Sequence, residues 1–163
     1  MHWRAMTLSD MARVVRIAAV VHPGFHEDRA VFVERQQLFP CGAKLLETDG
    51  RAVGYALSHP WNESELPALN TLLGRLPDVS TTFYLHDVAL LPAARGCAAA
   101  GALVGSLASL ARALAYPSMT LVAVNGSRRF WEKHGFHIIE RPGMSAKLAS
   151  YEETAVMMQK NLA

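Results

Sequence analysis

The sequence predicts a single α/β (α+β) domain over residues 1–163, a mixed sheet with helices on its faces. Three observations carry that prediction. A chain of 163 residues, 51% of them hydrophobic, supplies one core and is short for two. Strand-like and helix-like segments alternate through the middle of the chain, the pattern of helices packed on a sheet. No repeat or low-complexity tract interrupts them. With 18% charged residues and a net charge of +2, the chain has neither the composition of a disordered segment nor the basic surface of a nucleic-acid binder.

Taken in order, His2–Met6 reads as a strand, and Thr7-Leu8-Ser9-Asp10 offers the hydroxyls and carboxylate of a helix start, with the helix running to Val21. His22-Pro23-Gly24 stops it, because proline disfavours helical geometry in the residue before it. A second helix is expected over Asp28–Leu38. Ala43–Glu47 and Ala52–Ser58 form two strands around Thr48-Asp49-Gly50-Arg51, and Asp-Gly is a strong hairpin signal. From Pro60 to Ser80, prolines and scattered leucines indicate a long excursion with a helical turn-and-a-half at Leu69–Leu73.

Thr82–Leu90 is the best strand, ended by Pro92. The longest helix, Ala98–Ala115, follows, with Leu103, Leu107, Leu110 and Leu114 marking its apolar stripe. Met119–Val124 is an apolar strand, Ser127–His134 a short helix, and Phe136–Glu140 and Thr154–Lys160 the closing strands. The sum is about six or seven strands flanked by about four helices.

Cys41 and Cys97 stand alone, too few for a disulfide framework or a zinc site, which fits a reducing compartment. Arg13 and Arg16 break the first apolar stretch, so it does not read as a signal peptide. Cys97–Tyr116 is Ala- and Gly-rich and holds Arg112, so a buried helix explains it better than a membrane span. The expectation is a cytoplasmic protein with no membrane and no nucleic-acid partner.

The chemistry gathers at Arg95-Gly96-Cys97-Ala98-Ala99-Ala100-Gly101, between the best strand and the longest helix. A small-residue turn there leaves the first amides of the helix open to phosphate oxygens, although the same composition also serves close packing. The segment Tyr84-Leu85-His86-Asp87-Val88-Ala89-Leu90-Leu91-Pro92-Ala93-Ala94-Arg95-Gly96 resembles the acetyl-CoA-binding segment of the GNAT (Gcn5-related N-acetyltransferase) superfamily. That segment is a strand ending in Val-x-Pro followed by Arg-Gly-x-Gly-x-Gly or Ala. Downstream, Asn125-Gly126-Ser127-Arg128-Arg129-Phe130-Trp131-Glu132-Lys133-His134-Gly135-Phe136 is similar to the second hallmark of the superfamily. The order of elements agrees along the whole chain.

The resemblance implies a mostly antiparallel sheet splayed between its fourth and fifth strands, with acetyl-CoA in the gap. The amides of Cys97, Ala98, Ala99, Ala100 and Gly101 would hold the pyrophosphate, with Arg95 and Gly96 also binding the cofactor. The backbone at Val88 and Leu90 would pair with pantetheine and thioester, and Asn125 would meet the pantetheine amides; Trp131 would pack against the thioester or fill core. The implied reaction is acetyl transfer to a primary amine of a small molecule or peptide, by direct attack in a ternary complex. No metal is implied, and many members pair as dimers. Tyr84-Leu85-His86-Asp87 looks like the Tyr-Leu-Glu-Asp of spermidine/spermine N-acetyltransferases, placing His86 where a glutamate deprotonates the amine.

Deprotonation matters because an alkyl ammonium of pKa about 10.4 costs about 4.6 kcal/mol to neutralise at pH 7, and an imidazole suits that task. Asp87, next along the strand, is expected on its other face, in a structural hydrogen bond. The Leu90 N–H would stabilise the oxyanion. Phe25 and His26, with His22 before them, are expected at the acceptor site, and Trp61 with Glu63 and Glu65 would wall a cationic amine. Two departures stand out. Ala98 replaces a glycine, at no cost only if its φ is negative. Trp131 replaces the tyrosine that many members use as an acid, and an indole cannot serve as one. A catalytically silent acyl-CoA sensor is therefore the alternative, and a flavodoxin-like nucleotide binder a third.

Overall fold

The computed structural model describes all 163 residues. Seven strands form one sheet: β1 (His2–Ala5), β2 (Lys44–Thr48), β3 (Arg51–Trp61), β4 (Thr82–Leu90), β5 (Ser118–Ala123), β6 (His137–Ile138) and β7 (Val156–Asn161). Their order across the sheet is β1-β2-β3-β4-β5-β7-β6, and every neighbour pair is antiparallel except β4 with β5. Five α-helices cover it: α1 (Met11–Val21), α2 (Arg29–Leu38), α3 (Ala99–Ala113), α4 (Arg128–Lys133) and α5 (Ser145–Ala149). None is long and apolar enough to cross a membrane.

Strand alternation splits the core into two layers. On one face, Met11, Val14 and Ile17 of α1 and Phe32 of α2 pack on Leu45, Tyr55, Leu57 and Ala89. On the other, Leu103, Val104, Leu107, Ala108 and Ala111 of α3 pack on Ala56, Phe83, Leu85, Met119 and Leu121. The α3 stripe differs from the leucine series expected. Leu110 is only half-buried and Leu114 is 44% exposed, while small alanines complete the buried face and let the helix lie close on the sheet.

The Asp49-Gly50 hairpin forms as expected, with both residues at positive φ (49° and 73°), the signature of a two-residue type I′ turn. Strand β3 runs three residues past its expected end, through Pro60. Its pairing with β2 stops at Ala56, so Pro60 lies where one edge of the strand is free and a missing N–H costs nothing. The helical turn expected at Leu69–Leu73 is absent. Instead, α2 clamps this segment by its backbone: Glu34 accepts from the amides of Leu73 (2.7 Å) and Gly74 (2.8 Å), and buried Arg35 donates to the Thr71 carbonyl (2.9 Å). The short α5 was not expected; Met144 just before it enters a third apolar cluster with Leu66, Tyr84 and Met157.

Candidate active site

Strands β4 and β5 share only three register pairs, Phe83↔Met119, Tyr84↔Thr120 and Leu85↔Leu121, although both continue beyond them. From His86 onward they part. A bulge marks the point: Leu57 pairs with Asp87 and Ser58 with Leu85, so His86 has no partner in β3. The bulge corrects the expectation that Asp87 faces away from His86. The extra residue breaks the period of two, and both side chains line the cavity of about 910 Å³ that fills the splay.

The backbone lining that cavity follows from ladder geometry. The Leu91 N–H donates to the Val53 carbonyl (2.9 Å), which makes Val53/Leu91 and Tyr55/Ala89 the hydrogen-bonded pairs. The intervening Val88 and Leu90 therefore turn their N–H and C=O groups away from β3, toward the cleft. The Leu90 carbonyl accepts from Arg95 Nε (3.2 Å). At the start of α3 none of the amides from Gly96 to Gly101 donates to a backbone carbonyl. Gly96 makes the turn at φ +73°, whereas Ala98 sits at φ −66°, so its methyl group brings no backbone penalty.

Of the residues expected to bind cofactor, Val88, Leu90, Arg95, Gly96, Cys97, Ala98, Ala100, Gly101, Asn125 and Trp131 all line this cavity. Ala99 does not; its carbonyl accepts the Trp3 indole N–H at 2.8 Å, tying β1 to the start of α3. Trp131 is buried and packs edge-on against Phe130 and Phe136, with ring centres 4.9 and 5.4 Å away. The exposed Cys97 thiol donates to the Ala94 carbonyl (2.9 Å).

A second, smaller cavity of about 60 Å³ adjoins the first, lined by Phe25, Glu27, Ala68, Leu69, Tyr84 and Tyr151, and shares His22, His86, Asp87, Val122 and Val124 with it. Phe25 is thus at the expected acceptor side. His26 and Trp61 line neither cavity. His26 is exposed, 3.0 Å from Asp28, while Trp61 packs on Leu66, Tyr84, Met144 and Met157 and donates its indole N–H to the Glu65 carbonyl. Glu63 is occupied by Arg141 and Gln159 (3.1 Å each).

Two imidazole–carboxylate pairs stand on the shared wall. His86 Nε2 lies 3.0 Å from Glu27 Oε2, with both side chains under 10% exposed. Burial raises the Glu27 pKa, but the charge and hydrogen bond of His86 outweigh it and hold the carboxyl below its ordinary range. His22 Nε2 lies 3.0 Å from Asp87 Oδ1, and the other Asp87 oxygen accepts the Tyr55 hydroxyl. Burial opposes the Asp87 charge too, and the contacts with His22 and Tyr55 override it, so its pKa is lowered. Behind His86, the ring of His59 is fully buried 6.1 Å away; desolvation first, then the charge of His86, bring its pKa down to about 3, so it stays neutral.

Glu27, Tyr55 and Tyr151 are the site residues that sequence reasoning missed. Glu27 sits one position beyond the segment flagged at the acceptor side, in a loop without periodicity, and meets His86 across 59 positions of chain.

Open amides at a helix start, beside a parted pair of parallel strands, form an anion-binding site at the edge of an open cleft. The chain belongs to the acetyltransferase (GNAT) family, whose profile matches residues 11–136. No curated protein sequence is significantly similar to it. Among solved structures, it is similar to Ard1 from Thermoplasma volcanium (TM-score 0.75, 19% identity, 99% of this chain and 97% of that one). The GphF GNAT-like decarboxylase, in complex with isobutyryl-CoA, aligns over 100% of both chains (TM-score 0.80, 16% identity). The loading GNATL domain of CurA from Lyngbya majuscula aligns over 99% of this chain and 97% of that one (TM-score 0.81, 14% identity). Acetyl-CoA is accordingly the cofactor, and the residues fit it. A diphosphate would meet the unpaired amides of Gly96–Gly101, and a pantetheine chain would meet the outward groups of Val88 and Leu90, in a cavity of cofactor size.

Proposed function

We propose that the protein is a cytoplasmic N-acetyltransferase that moves acetyl from acetyl-CoA to a primary amine of a small molecule or peptide, by direct attack in a ternary complex. One observation carries the reading: His86, backed by Glu27, stands in the wall common to the two cavities, where an acceptor in the smaller meets a thioester in the larger. When bound, acetyl-CoA supplies an activated carbonyl. The smaller cavity suits an ammonium. It offers the Glu27 and Asp87 carboxylates and the faces of Phe25, Tyr84 and Tyr151.

With its Nε2–H donating to Glu27, His86 keeps a free lone pair on Nδ1 to take the ammonium proton, directly or through one water. Glu27 is the positioning residue that holds this tautomer. The Leu90 N–H, turned into the cleft, stabilises negative charge on the carbonyl oxygen. The negative φ of Ala98 removes one of the two reasons for a silent sensor, leaving Trp131 alone.

The test is thiol release from acetyl-CoA against a panel of primary amines. His86→Gln is expected to lower kcat on the order of 10²-fold while calorimetric affinity for acetyl-CoA stays unchanged. Glu27→Gln should lower kcat by a smaller factor without moving the KM for acetyl-CoA, with partial recovery in Glu27→Asp. Turnover unaffected by His86→Gln at every pH would remove His86 from the reaction. Tight binding with no turnover would favour the sensor, and thiol release that needs no amine would contradict acetyl transfer to nitrogen.

A further inference from the structure

Amide formation from a thioester moves protons at two places, and the base described above serves only one of them. At the departing sulfur, position 131 offers an indole buried among Phe130 and Phe136, which cannot give up a proton. We propose that His22, held by Asp87, is the acid that protonates the leaving thiolate. The assignment deepens the acetyltransfer reading and rests on it.

Four features place His22 in that role. It caps the C-terminal end of α1, donating its own N–H to the Ala18 carbonyl (2.8 Å), where the helix dipole favours an imidazolium. Its ring lines both cavities. Its Nε2 is buried 3.0 Å from Asp87 Oδ1, a charge contact without hydrogen-bond geometry, and the second Asp87 oxygen is fixed by the Tyr55 hydroxyl from β3. Its Nδ1 faces Asn125 at the cavity lip, 3.2 Å from Nδ2. A half-turn of that amide presents oxygen instead of nitrogen, so Asn125 partners either protonation state.

The charged and titratable groups that face His22 are Asp87 on β4 and, further off, Glu27 from the loop before α2, with His86 and Tyr55 beyond the carboxylates. Two carboxylates thus face His22, and the one other imidazole nearby, His86, is already paired with Glu27. Desolvation pulls the His22 pKa down, but the Asp87 contact and charge outweigh it, and the pKa is raised. The sign follows: His22 is charged below its raised pKa and loses its acid function as pH climbs through it. The bulge at His86 turns both imidazole–carboxylate pairs onto one wall, one to take a proton and one to give it.

The step balances. The C–S bond breaks with its electron pair on sulfur, and the proton on His22 Nδ1 passes to that sulfur, leaving free thiol and neutral imidazole. The amine nitrogen loses two protons, one to His86 and one that restores His22 through solvent. One proton per amide is released.

Two measurements test the assignment. In the protein without coenzyme, ¹⁵N NMR of labelled histidine should show His22 titrating with a midpoint above the ordinary 6.5, and Asp87→Asn should lower that midpoint. A midpoint at or below 6.5 in the wild type would overturn the proposal. Kinetically, His22→Gln should cut turnover on the order of 10²-fold with acetyl-CoA but by under about threefold with 4-nitrothiophenyl acetate, whose thiolate leaves unaided. His86→Gln should fall with both. Retained coenzyme A binding by calorimetry shows that the variants are folded. Equal losses of His22→Gln with the two thioesters, or none with either, would overturn the assignment alone. A wild-type protein that acetylates no amine would overturn the acetyltransfer reading and this assignment with it.

Discussion

Asp10 and Asp87 are two little-exposed carboxylates that serve different ends. Asp10 takes both guanidinium nitrogens of Arg4 (2.8 Å each) and the Thr7 amide (2.9 Å), joining β1 to the start of α1. The Arg4 hydrogen bond holds its carboxyl well below the ordinary range. A depressed folded-state pKa stabilises the protein above the unfolded pKa of about 3.9, and that stabilisation is lost as pH falls toward the folded value. Asp10→Asn should therefore cost about 2 kcal/mol in urea unfolding at pH 7, with a penalty that shrinks toward pH 3. An equal penalty at both pH values would mean that shape, not charge, matters there. Asp87, by contrast, braces a ring beside the cavity. Its neighbour His86 was legible as a site residue because a motif surrounds it. Glu27 and Tyr55 were not, since their roles arise from contacts between distant segments that leave no local pattern.

At the scale of elements, the turn into α3 separates what a glycine does from what a small residue does. Gly96 needs its positive φ, and a Cβ there would meet nothing, so Gly96→Ala carries only the backbone penalty of about 1–2 kcal/mol. Calorimetry should show coenzyme A binding weakened roughly tenfold in Gly96→Ala if the penalty falls on the binding conformation, and unchanged in Ala98→Gly, since 1.4 kcal/mol is a factor of ten. Loss in both would mean that the amides act through something other than φ. The Asp49-Gly50 hairpin and the long α3 were readable because each has a local signal, turn chemistry or periodicity. The excursion from Pro60 to Ser80 was not, because its conformation is imposed by Glu34 and Arg35 of α2 rather than by its own residues. The bulge at His86 was equally hidden: nothing in Leu85-His86-Asp87 announces the extra residue.

Across the whole molecule, the sheet order β1-β2-β3-β4-β5-β7-β6 leaves its one parallel pair, β4 with β5, in the middle, and that pair is the one that opens. Alternating strands and helices made the layered architecture readable, whereas which neighbours pair, and where they part, came into view only through resemblance and then through coordinates. The splay, the open amides, His86 and the His22–Asp87 pair all adjoin one cavity, so cofactor binding is the claim on which the chemistry depends. Amide hydrogen exchange, measured residue by residue with and without coenzyme A, tests it most directly. The account predicts that coenzyme A slows exchange at Gly96–Gly101 and at Val88 and Leu90 while β1 and β2 stay as they were. Unchanged exchange at Gly96–Gly101 under saturating coenzyme A would contradict it.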